Sequence, residues 1–137
     1  MKVVIDTNVI VSGLLSPYGH PAKILQLLVT GKVDICYDLR ILVEYFEVLN
    51  RSKFKFNKEN VSILLRKIKL MGESALGSPL KQSLPDSDDD MFLEVAIACN
   101  AECTITGNLD HFPKKSCTGV KIFSPAEFIS YFREKSI

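Results

Sequence analysis

The sequence lacks an excess of charge, a long hydrophobic run and closely paired cysteines. Its 17 lysines and arginines balance 16 aspartates and glutamates, so net charge predicts neither a nucleic-acid-binding nor a membrane-surface protein. No run reaches the ~18 apolar residues of a membrane span, and the N-terminal "MKVVIDTNV" has no signal-peptide pattern. We therefore expect one cytoplasmic domain spanning 1–137, with no membrane partner.

The cysteines also argue against one class of site. The chain has four cysteines in or beside apolar runs, and none forms the C-x-x-C pair that is typical of structural zinc. We therefore expect reduced cysteines in the core, with neither a metal nor a disulfide.

Short β-branched runs alternate with amphipathic segments along the chain. The predicted strands are "KVVID", "KVDICY", "CTIT" and "GVKIF". The predicted helices are "PAKILQLLVTG", "LRILVEYFEVLNR", "KENVSILLRKIKLMG", "MFLEVAIACNA" and "PAEFISYFREK". Strands separated by helices predict an α/β fold, with three α/β/α layers around a short central parallel sheet.

Acidic side chains stand where such a fold would bring them together. Asp6 ends the first predicted strand, Glu44 lies in a helix, and the stretch 86–90 holds four carboxylates just before a buried helix. A helix N-terminus favours one or two nearby acids, but it does not account for four. Hydrated Mg²⁺ or Mn²⁺ would account for the excess, since both prefer carboxylate oxygens. The pattern indicates metal-assisted hydrolysis of a phosphodiester by an activated water, with one or two ions.

Four quoted stretches resemble one known family, in order through almost the whole chain. They are "VVIDTNVIVSGLLSP", "ILVEYFEVLNRSKF", "PDSDDDMFLEVAIACNAECTITGNLDHF" and "VKIFSPAEF". They resemble the PIN-domain ribonucleases, in particular the branch of toxin components of toxin-antitoxin pairs. The resemblance implies a PIN-like fold and a metal-dependent endoribonuclease that cleaves single-stranded RNA.

The resemblance also implies roles for individual residues. Asp6 is the first metal-binding acid, Glu44 the second, and Asp90 the third by its spacing to "TITGN", with Asp89 as the rival. Many relatives have an acid where this chain has Asn108, so a fourth carboxylate comes from Asp110 or is absent. Side chains expected to orient the ligands are Thr7, Asn8, Asn108 and Asp86. His111 is interpreted as a surface or structural residue rather than a general base.

Substrate and partner expectations rest on two further stretches. In "RSKFKFNK", the basic residues Arg51, Lys53 and Lys55 flank phenylalanines, a pattern that suits phosphates and unpaired bases. The alternative is a solvated loop with two buried phenylalanines. Apolar stripes in "VSILLRKIKLM" and "FISYF" predict a homodimer face or an antitoxin groove. The alternative function is a catalytically weak PIN-fold module for RNA binding or assembly.

Overall fold

The computed structural model describes residues 1–117 and 119–136, and these contain a parallel sheet with helices around it. The strands are β1 (Lys2–Ile5), β2 (Asp34–Tyr37), β3 (Glu73–Ser74), β4 (Cys103–Ile105) and β5 (Lys121–Phe123). The helices are α1 (Thr7–Leu15), α2 (His20–Val29), α3 (Leu39–Leu49), α4 (Lys58–Met71), α5 (Asp90–Cys99) and α6 (Pro125–Lys135). Short 3-10 helices cover Ser52–Phe54, Ser87–Asp89, Leu109–His111 and Lys114–Ser116. The predicted α/β/α class is confirmed.

The strand order determines where a site can form. The sheet runs β3-β2-β1-β4-β5, and every neighbouring pair is parallel. From β1 the chain builds outward to β2 and β3, then returns to the other side of β1 for β4 and β5. In open parallel sheets, ligands bind in the crevice at the carboxyl ends of the strands where this reversal occurs. Here that crevice lies between the ends of β1 and β4.

The centre of the core is β1, whose Val3, Val4 and Ile5 are fully buried. A continuous apolar run is typical of a strand that is covered on both faces. Helix α3 is joined to this strand by Tyr45, a buried side chain whose hydroxyl donates to the carbonyl oxygen of Ile5. This contact holds one face of α3 at the carboxyl end of β1.

Two elements were missing from the predicted set. Helix α1 follows β1 directly, and β3 lies within the stretch 72–88 that was expected to be a surface loop. Helix α4 ends at Gly72, where a Cβ would lie 2.6 Å from the carbonyl oxygens of Ile35 and Ile68. The missing side chain lets the backbone pass close to β2, so β3 can pair with it.

The prediction that all cysteines are reduced is wrong for two of them. Cys36 on β2 and Cys99 at the end of α5 form a disulfide, although 63 positions separate them. Sequence spacing could not show this, because α5 packs across β2 only in the folded chain. Cys103 and Cys117 are free and buried. Within the described part of the chain, no helix has the length and hydrophobicity needed to cross a membrane.

Candidate metal-binding active site

Two strand ends meet at the crevice and are joined by a buried threonine. Asp6 follows β1, and its backbone N–H donates to the carbonyl oxygen of Ile105 at the end of β4, at 2.9 Å. Thr106 comes next along the chain, and its hydroxyl donates to Asp6 Oδ2 at 2.8 Å. The same hydroxyl oxygen accepts the backbone N–H of Asn108 at 3.0 Å. Thr106 therefore fixes the orientation of the Asp6 carboxylate and the course of the loop that follows β4.

Burial and neighbouring charges make Asp6 a strained carboxylate. Burial raises the pKa of Asp6 to about 6 from an ordinary value of 3.8, and the charges of Asp89 and Glu44 raise it further while the Thr106 hydroxyl lowers it. These three acids therefore act on one another, although they come from three different elements. A cation placed among them would relieve the repulsion.

Glu44 reaches this position from the second turn of α3. Its carboxylate accepts a hydrogen bond from the Thr7 hydroxyl at the start of α1. Thr7 is buried, and Tyr45 beside Glu44 holds the helix to β1. Glu47, one turn later on α3, is exposed. The predicted pairing of Glu44 with the end of the first strand is thus seen in the structure.

Asp89 and His111 form the third part of the site. Asp89 precedes α5 and is mostly buried, with Oδ2 3.0 Å from Nδ1 of His111. Burial raises the pKa of Asp89, and the contact with His111 opposes that rise. On the other side of the ring, Nε2 lies 3.1 Å from the side-chain amide nitrogen of Asn108. His111, interpreted above as a surface or structural residue, is therefore part of the acidic edge.

Asp90 has different partners from its neighbour Asp89. Its Oδ1 accepts the backbone N–H of Leu84 at 2.8 Å, and its Oδ2 accepts the Ser83 hydroxyl at 2.7 Å. Both oxygens of Asp90 thus fix the loop that enters α5, although the residue also lines a cleft of about 350 Å³ together with Glu44.

The remaining predicted side chains lie around this centre. Asn8 Oδ1 accepts the backbone N–H of Gly107 at 3.1 Å, which ties α1 to the loop after β4. Asp86 is exposed and uses Oδ1 to accept the backbone N–H of Asp88 at 3.0 Å. Asp110 is exposed in the 3-10 helix that contains His111. In the described chain it is His111, and not Asp110, that this turn directs onto Asp89.

An arginine that the sequence did not single out borders the same cleft. Arg40 donates to Asp38 Oδ2 through Nε and Nη2, and to Glu94 Oε1 through Nη1 at 2.8 Å. Asp38 also caps α3 by accepting the backbone N–H of Ile41, as its position before the helix predicts. Because two buried carboxylates share it, Arg40 supplies little net positive charge to Asp6, Glu44 or Asp89.

The basic loop that was expected to bind RNA follows the end of α3. Arg51, Lys53 and Lys55 are exposed, while Phe54 and Phe56 are half-buried. The two phenyl rings stack with centroids 5.4 Å apart, and Lys53 Nζ lies 5.0 Å from the centroid of Phe54. The loop therefore presents three cations and the edge of an aromatic pair.

Comparison with known proteins identifies the family to which this site belongs. A family model described as "PIN domain" matches residues 2–110, which include every acid of the crevice. The chain belongs to the PIN domain family. An uncharacterized protein of Methanocaldococcus jannaschii is 32% identical over 145 aligned positions, covering 98% of this chain and 93% of that protein. PIN domains are a family of nucleases that generally use divalent metals.

The residues at the crevice fit such a metal. Asp6, Glu44 and Asp89 offer carboxylate oxygens, which are the ligands that Mg²⁺ and Mn²⁺ prefer. The raised pKa of Asp6 shows that the site concentrates negative charge without a compensating cation of its own. The two side chains that sequence reasoning missed, Thr106 and Arg40, gave no signal because their roles depend on partners far along the chain.

Proposed function

We propose that this PIN domain is a metal-dependent endoribonuclease that hydrolyses phosphodiester bonds of single-stranded RNA with an activated water. The observation that carries the proposal is the convergence of Asp6, Glu44 and Asp89 from β1, α3 and the start of α5. A crevice at a strand reversal is also where open parallel sheets bind ligands.

Each of the three acids has a defined task in this proposal. Asp6, Glu44 and Asp89 would hold one or two Mg²⁺ or Mn²⁺ ions, with Thr106 and Thr7 keeping the first two carboxylates oriented. When bound, the metal would polarise the phosphodiester and lower the pKa of an attacking water. The buried surroundings of Asp6 keep bulk water away and strengthen the attraction between the carboxylates and a cation.

Asp89, rather than Asp90, is our proposed third acid. The charge of Asp89 acts on Asp6, whereas both oxygens of Asp90 accept hydrogen bonds from the preceding loop. Asp90 would then be the residue that positions Asp89, and Asp110 would lie outside the metal centre. The alternative third acid remains Asp90, since it lines the cleft with Glu44.

The RNA strand needs positive charge beside this acidic crevice, and the exposed Arg51, Lys53 and Lys55 are the proposed source. Each phosphate contact releases counterions, so RNA binding should weaken as salt increases. Replacing both lysines by Ala should reduce the logarithmic salt slope by about two, one for each lost contact. Unchanged binding across salt concentrations would assign "RSKFKFNK" to a solvated loop.

The toxin role rests on the resemblance, and so does a partner antitoxin. The structure changes the surface expected to bind a partner, because the α4 stripe Val61, Leu64, Leu65 and Ile68 is buried in the chain's own core. The exposed apolar side chains of α4 are Ile63, Leu70 and Met71. Growth arrest on expression, relieved by the product of a neighbouring gene, would support the toxin role, and growth without arrest would contradict it.

Cleavage of single-stranded RNA by the purified protein tests the enzymatic proposal. Asp6→Asn and Glu44→Gln should each reduce the Mn²⁺-dependent rate by roughly 100-fold or more, because the charge that holds the metal is lost. Glu47→Gln is a matched control on the same helix, since Glu47 is exposed, and it should cleave like the parent.

The alternative of a catalytically weak RNA-binding module predicts a different pattern. In that case the parent would bind RNA without metal-dependent cleavage, and Asp6→Asn would not change the product pattern. Cleavage that persists in Asp6→Asn would show a contaminating nuclease and would contradict the proposed function.

A further inference from the structure

Three side chains on the α5 side of the crevice form a group with a mixed ligand set. Asp86, Asp89 and His111 each offer one ligand atom, and these atoms all lie within 4.8 Å of one another. Two of the atoms, Asp89 Oδ2 and His111 Nδ1, are 3.0 Å apart. The imidazole distinguishes this group from the purely carboxylate set of Asp6, Glu44 and Asp89.

The separation of the nitrogen and the oxygen suits two ligands of one cation. Ligands at ~2.1 Å from a metal and at right angles to each other lie about 3.0 Å apart. The proton that now joins Asp89 and His111 can therefore be replaced by a dication with little movement of either side chain. Asp86 keeps one carboxylate oxygen available, because only Oδ1 accepts the backbone N–H of Asp88.

The far side of the imidazole has the partner that a ligating histidine needs. A metal-bound histidine usually donates its other ring N–H to an acceptor, which fixes the ring. The Asn108 amide lies 3.1 Å from Nε2, and turning the amide over presents its oxygen instead of its nitrogen. The single ring proton then moves from Nδ1 to Nε2, so the imidazole stays neutral when Nδ1 binds metal.

Asn108 is itself fixed to the crevice. Its backbone N–H donates to the Thr106 hydroxyl, and that hydroxyl donates to Asp6. The chain of contacts from Asp6 to His111 therefore runs through two residues with defined hydrogen bonds. The imidazole is positioned relative to the catalytic carboxylates rather than being free on the surface.

We propose that His111 is a metal ligand, and that Asp86, Asp89 and His111 form a cation position that takes Mn²⁺ or a similar transition-metal dication in preference to Mg²⁺. Imidazole nitrogen suits transition metals, whereas Mg²⁺ prefers oxygen ligands. The inference rests on the proposed function for its location, because Asp89 belongs to both groups of ligands.

Pulsed electron paramagnetic resonance of Mn²⁺ bound to the whole chain tests this inference directly. The parent should show the nuclear coupling of a directly bound imidazole ¹⁴N, and His111→Ala should lose it. The chain has one other histidine, His20, which is exposed at the start of α2. His20→Ala is therefore the matched control and should keep the signal.

Binding measurements give the selectivity. Asn108→Ala should weaken Mn²⁺ binding by about 10- to 100-fold through loss of the outer hydrogen bond, and His111→Ala by at least as much. Mg²⁺ binding should change much less in both variants. Asp86→Asn, which keeps the oxygen that caps Asp88, should weaken Mn²⁺ binding without changing the fold, as followed by circular dichroism.

Two results would overturn the inference. One is Mn²⁺ bound to the parent without ¹⁴N coupling, and the other is coupling that persists in His111→Ala. Either result alongside intact RNA cleavage leaves the proposed function standing and removes only the imidazole ligand. Imidazole coupling in a protein that does not cleave RNA would instead support the cation position and contradict the proposed function.

Discussion

The two edges of the sheet treat their acids in opposite ways. At the amino edge, where the strands begin, each of three acids has a cation as its partner. The ion pairs there are Met1–Asp34, Lys2–Glu73 and Lys121–Glu102, with N–O distances of 3.9, 3.1 and 3.8 Å. At the carboxyl edge, Asp6, Glu44 and Asp89 have one basic contact among the described residues, the imidazole of His111.

The difference indicates that the carboxyl edge is arranged for a cation from outside the chain. Exposed ion pairs such as those at the amino edge contribute about 0–1 kcal/mol each. Buried carboxylates that repel one another reduce stability, and the raised pKa of Asp6 reports that cost. Arg40 does not offset it, because Asp38 and Glu94 already share its charge. Functional sites commonly accept such a cost.

The largest expected effect comes from removing the charge of Asp6 in the metal-free protein. Its pKa is about 6 in the folded chain against an ordinary 3.8, so between these values the folded state binds more protons than the unfolded state. The free energy of unfolding should therefore fall as pH rises through this window, by about 3 kcal/mol for this group. Asp6→Asn should recover up to that amount at pH 7, as measured by denaturation with a chelator present.

The control for this experiment is Asp110→Asn, an exposed acid near the same crevice. It should leave the unfolding free energy within about 0.5 kcal/mol of the parent. An Asp6→Asn variant that is less stable than the parent at pH 7, with the parent's pH dependence unchanged, would contradict the cost assigned to the carboxyl edge.

The next effect separates two adjacent acids that the sequence could not rank. Mn²⁺ at 100 times its dissociation constant should stabilise the parent by about 2.7 kcal/mol. Asp89→Asn should lose most of this gain. Asp90→Asn should keep it but lower the metal-free stability by roughly 1–3 kcal/mol, since an amide cannot satisfy both Ser83 and Leu84 as acceptors. Thermal unfolding with and without Mn²⁺ measures both effects, and the reverse pattern would make Asp90 the third acid.

The positions of Asp6 and Glu44 could be predicted because local patterns determine them. A β-branched run ends at Asp6, and the acid then lies at a strand's carboxyl end in any parallel α/β fold. The helical pattern around Glu44 was equally clear. The choice between Asp89 and Asp90 was not, because one residue rotates a side chain by about 100° around a helix. Their roles depend on where α5 begins and on the loop before it.

Other features depend on contacts that no local pattern contains. Helix α1 is rich in apolar and β-branched residues, so its sequence does not separate it from β1, and packing against α2 accompanies its helical form. The two-residue β3 is too short for any periodic signal. Thr106 and His111 acquire their roles from Asp6 and Asp89, which are distant in sequence.

The smallest expected effect concerns the amino edge, at the ion pair between Lys2 and Glu73. Their side chains are 44% and 48% exposed, so solvent and salt screen the attraction between them. A double-mutant cycle with Lys2→Met and Glu73→Gln should give a coupling of about 0.2–1 kcal/mol that declines as salt increases. Mn²⁺ should stabilise both variants as much as the parent, because neither residue is at the carboxyl edge. A coupling of several kcal/mol, or a loss of the Mn²⁺ response, would mean that the two edges are energetically linked through the sheet, and the contrast between a paired edge and a cation-binding edge would no longer hold.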